Sequence, residues 1–142
     1  MATVPTPNNR MSKIVAKFGG TSVGTGERMR RAAKSVADVV EGGDDICVVV
    51  SAMGKTTDML IEEMEKVGDP DPKDADEIVS MGERTSVRMF KTALEDLGVD
   101  SFFLEPGDDD WPVVTDDSGE VDEREPHRRV SRLGERMEDA VP

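Results

Sequence analysis

Apolar and polar positions along the chain alternate with two different periods. Residues 14–18, Ile-Val-Ala-Lys-Phe, are a short and mostly apolar run ending in Gly19-Gly20, the pattern of a buried strand. From Glu27 the period lengthens. Met29, Ala32, Ala33, Val36 and Val40 recur at helical spacing, and Gly42-Gly43 marks the end of that helix. A second apolar run, Ile46–Val50, predicts a second strand. Residues 59–66 predict a helix capped by Asp58 and stopped by the Gly-Asp-Pro-Asp-Pro of residues 68–72. A longer helix is expected from Asp74 to Leu97, with Ile78, Phe90, Ala93, Leu94 and Leu97 inward and Gly98 closing it. Residues 99–104 predict a third strand. Residues 111–115 and those around Val121 flank a polar Asp-Asp-Ser-Gly-Glu turn and suggest a hairpin. Pro126 can open a last helix carrying Val130, Leu133 and Met137 inward.

Strand, helix, strand, helix, strand is the order of an α/β fold. Right-handed crossovers then give a mainly parallel sheet covered by helices. The length, 142 residues, suits one domain. The last residues, Ala140-Val141-Pro142, come where a further strand is expected, so the chain reads as the front piece of something longer. Residues 1–11 read as a flexible extension, with Met11 an alternative start.

Charge narrows the classes of function. There are 31 acidic and 18 basic residues, a net charge of −13, which opposes binding to nucleic acid or an anionic membrane. Periodic apolar segments argue for a folded protein with an acidic surface adapted to high salt rather than for disorder. Cys47 is the sole cysteine and lies in an apolar run, so it reads as an inert core residue in a reducing cytoplasm. No stretch is apolar enough to span a membrane or to serve as a signal peptide. His127 stands among charged residues at a helix start and reads as a solvated surface group.

Gly54-Lys55-Thr56 looks like the end of a phosphate-binding P-loop. Such a loop needs a glycine five residues earlier, where this chain has Val49, inside a strand. The P-loop reading fails on spacing.

A different resemblance carries further. Lys17-Phe18-Gly19-Gly20-Thr21-Ser22-Val23-Gly24 resembles the opening signature of aspartate kinases, within the amino acid kinase family. Residues 48–60 resemble that family's second segment. Gly82-Glu83-Arg84-Thr85-Ser86 resembles its third, and residues 111–120 its surface hairpin. The resemblance implies a three-layer α/β/α sandwich with a mainly parallel sheet, of which residues 12–142 are the N-terminal part of the catalytic domain and which is incomplete at the C-terminus. It implies ATP-dependent phosphorylation of the L-aspartate side-chain carboxylate to 4-phospho-L-aspartate, the first step of lysine, threonine and methionine biosynthesis.

By the same resemblance, Lys17 is the catalytic residue, neutralising charge on the transferring phosphoryl group. Gly19, Gly20, Thr21 and Ser22 line the ATP phosphates. Ser51 and Thr57 contact the carboxylate of aspartate, and Glu83 faces its ammonium. Mg²⁺ comes with the nucleotide, and no protein metal site is expected. Full-length family members form homo-oligomers. The family's second glycine-rich loop, nucleotide-base segment and regulatory ACT domains would lie beyond residue 142. Two alternatives stay open: another amino acid kinase, for glutamate, acetylglutamate or UMP, and a non-catalytic fragment or assembly partner.

Overall fold

The structure is a computed structural model and describes residues 12–116, 119–121 and 125–142; the expected flexible extension, residues 1–11, lies outside them. Six elements follow one another: β1 (Lys13–Phe18), α1 (Gly26–Glu41), β2 (Asp45–Val50), α2 (Thr56–Val67), α3 (Pro72–Asp96) and α4 (Glu125–Arg136). β1 and β2 pair in parallel, with Ile14 opposite Ile46 and Phe18 opposite Val50. A parallel pair needs a crossover, and α1 supplies it.

Two of the helices, α1 and α3, have clear local signals at their ends. Thr25 caps α1 by accepting a hydrogen bond from the Arg28 N–H, 3.2 Å away. Asp71 caps α3 through the N–H groups of Lys73 and Asp74, with Pro72 in the first turn. At its far end Gly98 adopts φ +77. The Gly98 N–H then reaches Glu95 O and the Val99 N–H reaches Leu94 O, closing α3 with a left-handed cap.

The sheet face carrying Ile14, Ala16, Phe18, Val48 and Val50 packs on the core built from α1 (Met29, Ala32, Ala33, Val36) and α3 (Phe90, Leu94). Phe18 and Phe90 meet with ring centroids 5.5 Å apart. On the opposite face, Lys13 Nζ reaches back to Glu138 and to the Gly134 carbonyl of α4. Helices thus flank the sheet, as in an incomplete α/β amino acid kinase-like sandwich, and its second face is only partly covered. Val15 is 72% exposed and Val49 45%.

Several expectations are corrected. β1 is not a buried strand: its residues alternate between exposed and half-buried, because little packs over its outer face. The third strand reduces to a single parallel bridge, Ser101 to Val141. Its neighbour there is Val141-Pro142, which also accepts the Val48 N–H on the β2 side. Asp58 caps nothing. α2 starts at Thr56, with Lys55 at the cap position, and the Thr56 hydroxyl donates to Met53 O at 2.6 Å. The inward stripe of α3 is Gly82, Ser86, Phe90 and Leu94, a spacing of four. Ile78 continues it one turn beyond Gly82 but is 36% exposed, since the core ends there; Leu97, at the helix end, is equally exposed. On α4, Leu133 is buried and Val130 is exposed. Of the expected hairpin, one antiparallel bridge, Thr115 to Val121, is seen, while residues 117 and 118 of its turn lie outside the described residues. Cys47 is half-buried on the outer sheet face, and burial pushes its thiol up, which keeps it poorly reactive. Among the described residues no helix is long and apolar enough to cross a membrane.

Candidate active site

Parallel strands deliver their following loops to one edge of the sheet, and here both loops carry the residues singled out above. Lys17 is the last residue but one of β1, opposite Val49, with an exposed side chain. Phe18 then hands the chain to the loop of residues 19–25. The N–H groups of Ser22 and Val23 fold back onto Gly19 O at 2.8 and 3.2 Å, forming a tight turn that leaves Thr21 and Ser22 exposed and buries Val23 completely. Val23 is the anchor that fixes the loop to the core.

The second loop lies against the first. The Ser51 N–H donates to Phe18 O and the Gly54 N–H to Gly20 O, both at 3.1 Å. Glycine is required at these contacts. A Cβ on Gly20 would stand 2.9 Å from Ala52 O, and one on Gly24 would stand 2.9 Å from Gly20 O. Gly54 itself has φ +52. Gly54, first residue of the tripeptide that mimics a P-loop, therefore serves loop-to-loop packing, while Thr56 opens α2.

α3 closes the group from one side. A Cβ on Gly82 would meet Ala52 Cβ at 2.9 Å and would lie 3.8 Å from the Thr57 hydroxyl oxygen. Gly82 thus lets the helix touch the second loop and the start of α2, and it places Glu83 on the turn beside Thr57. Glu83 is exposed. None of the basic residues near it in sequence pairs with it: Arg84 pairs with Glu77, Arg88 with Glu105 and Lys91 with Glu95.

The structure accordingly brings Gly19, Gly20, Thr21, Ser22, Ser51 and Thr57 to one edge, with Lys17 leading into it and Glu83 flanking it. It also adds Arg28. From the first turn of α1, Arg28 Nη1 donates to Thr21 O at 3.0 Å, bracing the first loop. Together with Arg31 it lines an open cleft of about 420 Å³ that reaches Thr21 and Ser22. One sequence signal points to Arg28: a cation in the first turn of a helix opposes the helix dipole, a local conflict that calls for a reason.

Among the described residues no group of three or more His, Cys, Asp or Glu is placed to hold a metal ion. The donors at this edge are instead an ammonium, hydroxyls and backbone amides. That set suits phosphate and carboxylate oxygens.

Comparison with known proteins points the same way. Residues 12–141 match the model of the amino acid kinase family. The chain is 43% identical over 89 residues to an aspartokinase of Geobacillus stearothermophilus, covering 62% of this chain and 22% of that protein. It is 46% identical over 90 residues to an aspartate kinase of Stutzerimonas stutzeri, covering 63% and 22%. Among solved structures, aspartate kinase from Synechocystis superposes with a TM-score of 0.62 at 40% identity, over 64% of this chain and 16% of that one. E. coli aspartokinase III, solved in complex with aspartate and ADP, gives 0.72 at 21% identity over 92% of this chain and 39% of that one, a likeness of fold. The chain therefore spans about a fifth of the length of the curated relatives it matches. Matched over almost all of its described length, it belongs to the amino acid kinase family.

Proposed function

We propose that this chain contributes the phosphoryl-transfer lysine and part of the acceptor pocket of an ATP-dependent kinase that converts L-aspartate to 4-phospho-L-aspartate. The observation that carries this reading is the junction of two loops at the ends of adjacent parallel strands, one rich in phosphate-type donors and one offering hydroxyls. The names and identities of the relatives supply the choice of aspartate.

In this reading an oxygen of the side-chain carboxylate attacks the γ-phosphorus of ATP, and ADP leaves with the electrons of the broken P–O bond. A carboxylate is already a nucleophile, so no general base is needed. What the protein supplies is alignment and charge. Lys17 neutralises the transferring group, while Gly19, Gly20, Thr21 and Ser22 hold its oxygens. Ser51 and Thr57 fix the carboxylate of aspartate, and Glu83 receives its ammonium. The donors at this edge fit phosphate oxygens, and Mg²⁺ carried by the nucleotide would add positive charge there. A cytoplasmic setting fits a small-molecule kinase with a single, half-buried thiol.

The test uses residues 12–142 grafted in place of the matching segment of the Geobacillus relative. The graft should form acyl phosphate, trapped as a hydroxamate, from aspartate and not from glutamate, acetylglutamate or UMP. Lys17→Ala should lower its kcat by roughly 10²–10³, the scale of losing one charge-stabilising group, with little change in aspartate KM. A near-normal kcat would remove Lys17 from the phosphoryl site.

A further inference from the structure

The two loops at the sheet edge follow different strands, yet their backbones meet at three glycines. Gly20 has no room for a Cβ because Ala52 O, in the second loop, stands 2.9 Å from where it would be. Gly24 is blocked at 2.9 Å by Gly20 O of its own loop, and a Cβ there would touch Gly54 Cα at 3.5 Å, an ordinary contact. Gly54 is held at φ +52 with its N–H on Gly20 O, and a Cβ there would stand 3.4 Å from Gly24 O. Gly54 needs glycine for its own left-handed φ, as Gly43 and Gly98 do, but unlike theirs its backbone rests on another loop, and Gly20 has no room beside Ala52 O. Here the backbones interlock.

We propose that Gly20, Gly24 and Gly54 join the two loops into one unit, so that a phosphate held at Thr21 and Ser22 and a carboxylate held at Ser51 and Thr57 position one another. Gly24 and Gly54 act as positioning residues through this contact. In-line transfer requires the donor phosphorus and acceptor oxygen to be aligned within a fraction of an ångström. Independent loops would each wander at their own strand end; interlocked loops move together. Arg28, bonded to Thr21 O, braces the same unit from α1. Coupling between two sites needs an element that both bias, and the shared loop backbone is that element.

The ligand part of this proposal rests on the kinase reading, but the interlock does not, and two measurements separate them. Amide hydrogen exchange, read by NMR on the 142-residue chain, needs no ligand. Gly24→Ala should speed exchange at the Gly54 N–H about tenfold, and Gly54→Ala should do the same at Ser22 and Val23. The β1 and β2 amides should stay as in the wild type. Gly54→Asn should keep wild-type exchange in both loops, because asparagine tolerates the left-handed conformation. Acceleration confined to the substituted loop overturns the proposal, as does a Gly54→Asn variant that frees both loops.

The second measurement titrates the same chain with inorganic phosphate. Amide shifts at Gly20, Thr21 and Ser22 should be accompanied by shifts at Gly54 and Thr57, and in Gly54→Ala the second set should no longer follow. Shifts in the first loop alone, in the wild type, overturn the coupling. No shift at the first loop counts against the phosphate role of that loop, while the exchange result still decides the interlock.

Discussion

Lys17, the three interlocked glycines and Glu83 show how much a single residue's meaning depends on neighbours outside its own segment. The octet from Lys17 to Gly24 was legible because its chemistry is contiguous: a strand-end cation, then glycines, then hydroxyls. Arg28 and Gly54 were not, since what makes them matter is Thr21 O and Gly20 O, contacts that only the folded chain creates. Glu83 lies between these cases. It is exposed here, and an exposed pair with the substrate ammonium would be worth at most about 1 kcal/mol. If the rest of the enzyme closes over it, Glu83→Gln in the graft should weaken aspartate binding by about 2–5 kcal/mol and leave ATP affinity unchanged. An aspartate affinity within twofold of wild type would mark Glu83 as a solvated carboxylate. Ser86, in the same motif, invites the opposite prediction. Its side chain is fully buried and its hydroxyl has no hydrogen-bond partner, a desolvation cost of about 1–3 kcal/mol. Ser86→Ala should therefore leave stability unchanged or raise it, as read from the denaturant midpoint. A clear fall in that midpoint would show that the hydroxyl is satisfied in solution.

Elements were legible where local signals agree and obscure where pairing is remote. β1, α1, β2 and α3 match their expected ranges within a few residues, because the apolar period, the caps and the glycine stops all coincide there. The start of α2 was missed because Asp58 is a good cap by type, while the real turn is fixed by the Thr56 hydroxyl and Gly54. Residues 99–104 have strand composition, yet a strand needs a partner, and among the described residues only Val141 provides a bridge. Two helical glycines test how packing overrides propensity. On α4, Gly134 has open space around a would-be Cβ, so Gly134→Ala should stabilise the chain by about 0.5–1 kcal/mol. On α3, Gly82→Ala gains the same propensity but drives a methyl to 2.9 Å from Ala52 Cβ, and Ala52 is itself buried. Overpacking costs about 1–3 kcal/mol, so the clash wins and the variant should melt below the wild type. In the graft the same variant should also raise aspartate KM, because the helix is pushed off the Thr57 turn. Equal melting shifts for the two substitutions would mean that α3 does not rest on the second loop.

At the scale of the molecule, the site and the surface lead to one expectation. In the proposed reading residues 1–142 supply a lysine, one phosphate-type loop and part of an acceptor pocket, whereas alignment of both substrates supplies most of the rate in phosphoryl transfer. Nothing at the described edge is shaped to grip a base or ribose; the cleft beside Arg28 is open and its cations sit on the loop's flank. The outer sheet face leaves Val15 and Val49 exposed, and β1 is an edge strand, so the chain also offers surfaces prone to association. Purified residues 1–142 should accordingly form no acyl phosphate from ATP and aspartate. Added salt should act on stability alone. With a net charge of −13, self-repulsion opposes the folded state, and moving from about 0.01 to 1 M salt shortens the screening length from about 30 to 3 Å. The thermal midpoint should therefore rise across that range, while hydroxamate formation stays at background throughout. Turnover by the isolated chain that vanishes in Lys17→Ala, which excludes a contaminating kinase, would show that this segment carries a complete site. A midpoint indifferent to salt would instead show that the acidic residues are too well separated, or too well paired with cations such as Arg88 beside Glu105, to repel one another.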